Sequence, residues 1–501
     1  MLRKIRLTLA VLFFAAITLL FLDFTGTVHA WLGWTAKLQF LPAVLALNAG
    51  AVVFLLLLTL VFGRVYCSVI CPLGVMQDVA AWFGKKQKKN RYTFSPARQW
   101  LRGGVLILFI AAMLAGAGSL AALIAPYSSY GRIAGNLFAP LYGWGNNLLA
   151  YFAERAGSYA FYETEVWLKS VPTFVIAALT FIIICTLAWR NGRTYCNTIC
   201  PVGTVLGFFA RWSWLKPVID TDKCVNCKLC ARNCKASCID ISRHCIDYSR
   251  CVACMDCIGK CHKGAISFSP ASFRKKSIRK TEPETPPTDK GEGASRRSFL
   301  TATALVTAAV TLKAQEKKVD GGLAIIKDKQ IPHRNTPVVP PGAWSAQHFA
   351  RHCTACQLCV SACPNQVLRP AADLMRLMQP EMSYERGYCR PECTRCSDVC
   401  PAGAIRPITL AVKSATQIGH AVWIKKNCVP LTDGVECGNC ARHCPAGAIQ
   451  MVPSDAGDPG SPKIPVVNEE RCIGCGACEN LCPARPFSAI YVEGHKVHRT
   501  I

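Results

Sequence analysis

Of the 31 cysteines in this 501-residue chain, 24 fall into six runs of one design. Cys224, Cys227, Cys230 and Cys234 follow C-x2-C-x2-C-x3-C, and Cys251, Cys254, Cys257 and Cys261 repeat it. Four more runs come later: Cys353, Cys356, Cys359 and Cys363; Cys389, Cys393, Cys396 and Cys400; Cys428, Cys437, Cys440 and Cys444; and Cys472, Cys475, Cys478 and Cys482. In this pattern a tight loop wraps three thiolates round one iron–sulfur cubane, and the fourth cysteine reaches a second cluster. The spacing therefore predicts that Cys224, Cys227, Cys230 and Cys261 hold one [4Fe–4S] centre, and that Cys251, Cys254, Cys257 and Cys234 hold another. The sixteen later cysteines make four centres more, six in all. Zinc sites use paired C-x2-4-C units instead, and a disulfide framework belongs to short secreted chains. The later runs end in proline (Pro364, Pro401, Pro445, Pro483), whereas Lys235 and His262 stand in that place in the first two.

A second cysteine chemistry lies upstream. "CSVICPLG" carries Cys67 and Cys71, and "CNTICPVG" carries Cys196 and Cys200. Two near-identical C-x3-C-P stretches supply four thiolates, which can complete a seventh iron–sulfur centre, form a dithiol relay or handle a metal. Spacing leaves the three open. Of the remainder, Cys185 reads as a small packing residue, and Cys238 and Cys245 have no assignment.

The elements that must position these thiols begin in lipid. Hydrophobic residues make up 51% of the chain and the mean hydropathy is +0.24. Apolar stretches at roughly 6–22, 41–63, 104–126 and 171–189 approach the length that a hydrocarbon core of about 30 Å demands of a helix. Lysine and arginine crowd the N-terminus (Arg3, Lys4, Arg6) and the segment from Arg64 to Arg102, while only Lys37 lies between the first two spans. The bias puts the N-terminus and the ends of spans two and four in the cytoplasm. Residues 1–315 hold 36 basic and 14 acidic residues, against 21 and 16 in 316–501, so +22 of the net charge of +27 sits on the membrane and cytoplasmic part. Topology and anionic lipid account for it without a nucleic-acid partner.

After the second run the composition turns charged and rich in Pro and Gly, which reads as a linker at 271–293. "ASRRSFLTATALVTAAVTLKAQ", residues 294–315, then sets Arg296 and Arg297 before a short apolar run, in the manner of a twin-arginine export signal or a fifth membrane segment. A domain that takes up its clusters in the cytoplasm must cross folded, which such a signal permits. The expected organisation is a four-helix transmembrane domain (1–215), an α+β two-cluster ferredoxin-like domain (216–270), the linker, the signal, and a periplasmic α+β four-cluster polyferredoxin domain (316–501).

With these motifs, residues 1–270 resemble the NapH/MauN family of membrane ferredoxin-type proteins, and residues 294–501 resemble the NapG/MauM family of exported four-cluster ferredoxins. The resemblance implies a quinol dehydrogenase module of the bacterial cytoplasmic membrane. Its substrate is quinol from the membrane quinone pool, and its acceptor is a periplasmic redox enzyme or cytochrome. Resemblance to four-cluster electron-transfer subunits also implies an exchange pairing. Cys482 would join Cys353, Cys356 and Cys359, and Cys363 would join Cys472, Cys475 and Cys478. Cys444 would join Cys389, Cys393 and Cys396, and Cys400 would join Cys428, Cys437 and Cys440. The alternative function is a maturation factor that supplies electrons for metal-cofactor biogenesis. No quinone site is visible: Tyr127, Tyr130, Trp144, Tyr151, Phe152, Tyr159 and Trp167 read as an interfacial aromatic belt, and His244, His262 and His352 read as solvated or supporting residues.

A reporter fused after Arg279 is expected in the cytoplasm and one after Ile501 in the periplasm. Both on one side would refute export, as would translocation unaffected by Arg296→Lys with Arg297→Lys.

Overall fold

The computed structural model describes residues 2–23, 25–87, 92–270 and 327–501; the expected linker and twin-arginine stretch lie outside them. The first part is helical: α1 (Leu2–Leu22), α2 (Ala49–Phe62), α3 (Pro72–Gln87), α4 (Gln99–Leu114), α5 (Pro126–Ile133), α6 (Val171–Asn191) and α7 (Pro201–Phe209). Among the described residues, α1 and α6 are long and apolar enough to cross a membrane, at 21 residues each, or about 30 Å at 1.5 Å per residue. Most of their apolar surface faces outward, with 28% and 22% buried within the chain.

The spans expected at 41–63 and 104–126 are interrupted. Leu47 takes a positive φ of 53° and the Asn48 side chain accepts the Ala51 N–H at 3.1 Å, so that α2 starts only at Ala49. Gly116, at φ 79°, ends the other run, and a separate short helix follows at Gly118–Ile124. An apolar run measures hydrophobicity, not helical continuity, and a left-handed residue breaks the second without altering the first. The helices that follow the two C-x3-C-P stretches cross over: α3 packs along α6, and α7 packs against α2 and α4.

The rest of the chain consists of small α+β units, each a pair of cysteine runs with an antiparallel hairpin between them. In the first, β1 (Leu215–Ile219) and β4 (Ile266–Pro270) pair antiparallel from Leu215↔Pro270 to Ile219↔Ile266, framing the short hairpin of β2 (Ile239–Asp240) and β3 (Cys245–Ile246). In the second, β5 (Leu368–Pro370) and β6 (Pro380–Met382) lie between the runs. In the third, β7 (Thr416–Trp423) pairs with β10 (Ile490–Thr500) round the β8 (Ile449–Pro453) and β9 (Lys463–Val467) hairpin. One continuous hydrophobic core joins the helical part to the first two units, and the third unit has its own.

These units engage opposite ends of α1. At its start, Arg3 pairs with Asp256 of the first unit at 2.8 Å. At its other end, Gly131 of α5 lies close to both the Phe21 ring and the Cys356 carbonyl of the second unit, and Gly26 meets the Arg395 guanidinium. Asn136 donates to Gln357 at 2.9 Å, and Ser119 donates to the Met375 carbonyl at 3.2 Å. Trp167 lies beneath the guanidinium groups of Arg369 and Arg386, both 4.4 Å from its ring. Tyr127 and Tyr130 are buried at this junction. These three therefore do not belong to an aromatic belt; they are packed against protein, while Trp144, Tyr151, Phe152 and Tyr159 are exposed.

At the first end, Asp78 on α3 accepts from Arg193 at 2.6 Å and pairs with Lys235 at 2.8 Å and Arg6 at 3.2 Å, tying the first unit to α1 and α6. Burial alone would raise its pKa, but Arg193, Lys235 and Arg6 hold it well below the usual carboxylate range. Asp78→Asn would leave buried cations uncompensated, at a cost of about 3–5 kcal/mol. Faster hydrogen exchange or proteolysis of residues 216–270 is the expected readout. Because the folded carboxyl titrates below the unfolded one, its contribution is complete above pH about 4 and disappears only as the pH falls through the depressed value. Docking should thus be flat from neutral pH down to that point, and a loss near pH 6 would refute this role.

Candidate iron–sulfur and thiol sites

The C-x3-C-P thiols are built from a repeat longer than the eight residues that draw attention in the sequence. Gly63-Arg64-x-Tyr66-Cys67-x3-Cys71-Pro72-x-Gly74 recurs as Gly192-Arg193-x-Tyr195-Cys196-x3-Cys200-Pro201-x-Gly203. Gly63 and Gly192 end α2 and α6 with φ of 73° and 72°, conformations that suit glycine. Cys67, Cys71, Cys196 and Cys200 are each no more than 4% exposed and face one another as electrostatic neighbours. The two halves clasp reciprocally. Arg64 donates to the Cys196 carbonyl at 3.1 Å, and Arg193 donates to the Cys67 carbonyl at 2.6 Å. Arg64 also approaches the Cys67 sulfur at 3.7 Å, and Gln77 donates to the Cys196 sulfur at 3.2 Å. A Cβ on Gly74 or Gly203 would collide with the Cys67 or Cys196 carbonyl and with the arginine bonded to it. Tyr66 and Tyr195 anchor outward, to Gln39 at 3.1 Å and to the Ile124 carbonyl at 2.6 Å. Arg64, Arg193, the two tyrosines and the two glycines were missed as site residues, although their repetition at a fixed offset was a usable signal.

The ferredoxin cysteines gather round separate voids. Cys428, Cys437, Cys440 and Cys482 line one, Cys363, Cys389, Cys393 and Cys396 a second, and Cys444, Cys472, Cys475 and Cys478 a third. Cys234, Cys251, Cys254 and Cys257 line a fourth. Cys400 lies against Cys353, Cys356 and Cys359. Cys224 and Cys227 neighbour Cys230. The Cys261 sulfur accepts the Ala265 N–H at 3.2 Å, as the Cys444 sulfur accepts the Ala448 N–H at 3.3 Å.

This grouping corrects the expected exchange in the second half. The fourth cysteine of each run joins the run next to it in sequence: Cys363 with Cys389, Cys393 and Cys396; Cys400 with Cys353, Cys356 and Cys359; Cys444 with Cys472, Cys475 and Cys478; and Cys482 with Cys428, Cys437 and Cys440. The reason is local, since each hairpin folds two successive runs onto one another and closing a short loop costs less entropy than closing a long one.

Cys238 enters the first unit's void, its sulfur 3.6 Å from that of Cys234. It stands four residues after Cys234, where Ala265, Ala404 and Ala448 stand four after Cys261, Cys400 and Cys444. His352 bonds the His348 carbonyl at 3.0 Å and stacks on that ring. Among the described residues, no three His, Cys, Asp or Glu side chains converge tightly enough for a single ion. Quartets of sulfur lining shared apolar voids suit a multi-iron cluster.

The arrangement places the groups in file. Arg64 links Ser249 of the first unit, through its carbonyl at 3.1 Å, to the C-x3-C-P thiols. Tyr195 connects those thiols to the 122–133 segment, which Arg132 braces through the Ala122 carbonyl and on which Cys356 rests. Cys359 neighbours Cys396, and the Cys389 N–H donates to the Cys475 carbonyl at 2.9 Å, joining the second and third units.

Comparison with known proteins finds iron–sulfur domains in two parts of the chain. A family model described as a 4Fe-4S binding domain matches residues 45–90 and 171–219, the segments carrying the C-x3-C-P stretches, and a 4Fe-4S dicluster domain matches 435–485 in the third unit. The ferredoxin-type protein NapF of Escherichia coli is 31% identical over 159 residues, covering 31% of this chain and 86% of NapF. The methylamine utilization ferredoxin-type protein MauM of Methylobacillus flagellatus is 32% identical over 165 residues, covering 32% of this chain and 70% of MauM. The chain belongs to the ferredoxin-type iron–sulfur proteins. The methylamine utilization ferredoxin-type protein MauN of Paracoccus denitrificans is 27% identical over 208 residues, covering 41% of this chain and 57% of MauN. Coverage of the relatives runs from 39% of one uncharacterized Methanocaldococcus jannaschii protein to 98% of another. No solved structure matches.

The exchange is testable by counting iron in this ferredoxin-type protein. Because Cys353 and Cys400 share one quartet, Cys353→Ser combined with Cys400→Ser should cost about four iron atoms per chain. A loss of about eight would restore the pairing in which they serve different centres.

Proposed function

We propose that the chain is a membrane electron-transfer protein carrying six [4Fe–4S] clusters, which oxidises quinol and passes single electrons to a periplasmic redox enzyme or cytochrome. The observation that carries this reading is the buried four-thiol site lying between ferredoxin units docked at opposite ends of α1. The two long apolar helices, the lysine and arginine distribution and the twin-arginine stretch support a cytoplasmic-membrane location, with the N-terminus in the cytoplasm and the C-terminal part in the periplasm. Quinol as donor rests on the family resemblance.

The clusters, when bound, supply one-electron transfer at potentials set by their surroundings. The chain's own residues hold them and control those surroundings. The quartets named above supply the thiolates, and Arg64 and Arg193 bring two positive charges to the C-x3-C-P thiols. The crossed packing of α3, α6 and α7 excludes water there. The same four thiols suit a seventh centre, in keeping with the 4Fe-4S binding model over both segments.

Anaerobically purified protein should contain about 24 iron atoms, or about 28 with Cys67, Cys71, Cys196 and Cys200 loaded, since each cubane takes four thiolates. Cys67→Ser should leave the six ferredoxin quartets filled and reducible by dithionite, yet abolish their reduction by a quinol analogue. Wild-type quinol-driven reduction of a fully assembled acceptor by Cys67→Ser membranes would remove these thiols from the path and favour the maturation role.

A further inference from the structure

The quartet of Cys224, Cys227, Cys230 and Cys261 ends the file, and its surroundings differ from those of every other run. Cys227 is exposed, and Val225 two residues before it is 61% exposed, whereas the corresponding Cys254 and Cys356 are buried. Round this small apolar spot stand Lys223, Lys228 and Arg232 from the loop, and Lys260 and Lys263 flanking Cys261, all exposed. The Leu229–Arg232 helix packs against the Ile258–Lys260 turn, which brings the two groups of cations onto one face. Among residues 220–234 and 258–264 the acids are Asp220, which pairs with Lys223 at 3.4 Å, and Asp222. At the opposite end of the file the Cys437 loop carries two acids, Asp433 and Glu436, beside Arg442, with Lys425 and Lys426 preceding Cys428.

We infer that this basic face is a docking port for an acidic, soluble one-electron carrier protein on the cytoplasmic side, a redox partner additional to quinol. Charge complementarity selects the partner. A cationic rim round an exposed apolar centre steers an anionic protein and orients it, while the apolar contact excludes water where the two redox groups approach. In the exchange the reduced carrier loses one electron and this chain gains it, with no proton or bond changing hands. Excess cytoplasmic charge alone would be spread over loops near the membrane, whereas these cations gather round Cys227, the exposed cysteine of the six runs. The inference rests on the reading that the cysteine quartets hold clusters.

The experiment uses the full chain, iron-loaded, in nanodiscs of neutral phosphatidylcholine, and measures binding of an acidic bacterial two-cluster ferredoxin. Wild-type affinity should fall about tenfold or more between low and physiological salt, because screening acts on exposed pairs. Lys223→Glu with Lys228→Glu and Lys263→Glu should weaken binding at low salt at least about tenfold, and Val225→Ser should weaken it without changing the salt slope. Salt-independent binding, or equal binding by the triple variant, overturns the port. So does capture of the wild-type discs by phosphatidylglycerol vesicles without any binding of the ferredoxin, which would make the face a lipid contact. Iron content separates the two readings: full iron with no binding defeats the port alone, and an iron count short by this quartet defeats the cluster assignment beneath it.

Discussion

Charge burial at the C-x3-C-P thiols is the constraint on which the rest depends. Burial pushes the Cys71 and Cys200 thiols well above their ordinary range, so thiolates there need compensation. The chain supplies it with Arg64 and Arg193, both fully buried. Each arginine holds the cysteine carbonyl of the opposite motif, so neither half of the site can form without the other. Arg193 in turn requires Asp78, and Asp78 engages Lys235 of the first ferredoxin unit. The electrostatics of one site thereby fix how a separate unit sits on the helices.

The three α+β units solve a different problem with one device. Each folds a pair of cysteine runs together through a hairpin, so two quartets close locally whatever the remainder of the chain does. Polar interactions then brace the closed units. In the third, Lys329 donates to the carbonyls of Glu479, Asn480 and Cys482 at 2.6, 2.7 and 3.0 Å, and Arg334 pairs with Glu479 at 2.5 Å. These contacts complete the C-terminal end of a short helix (Ala477–Leu481) whose last carbonyls have no intrahelical partner.

Much of the site was legible because metal ligation demands particular residues at particular spacings. Cysteine runs, hairpin-length separations and the C-x3-C-P pair all appear in linear order. The spans were legible only in part. Leu47 and Gly116 interrupt apolar runs that hydropathy alone reads as continuous, since backbone conformation is not encoded in hydrophobicity. Arg64 and Arg193 were hidden for another reason: next to a lipid-facing helix an arginine ordinarily marks a cytoplasmic end, and its buried role emerges only when the second motif arrives 129 residues away.

Taken by itself, then, the sequence determined the chemistry on offer: which cysteines stand at iron–sulfur spacing, that two motifs are duplicates, and that the chain is apolar at one end and ferredoxin-like beyond it. These follow from residue type and short spacing, which the covalent chain preserves. Only the tertiary structure decided which fourth cysteine completes which quartet, that Cys238 enters the void beside Cys234, that the buried arginines clasp each other's motif, and that ferredoxin units meet opposite ends of α1. Those outcomes depend on which segments approach in space, and closing a hairpin, burying a guanidinium and docking a unit each balance entropy and desolvation against contacts that no single stretch of sequence contains.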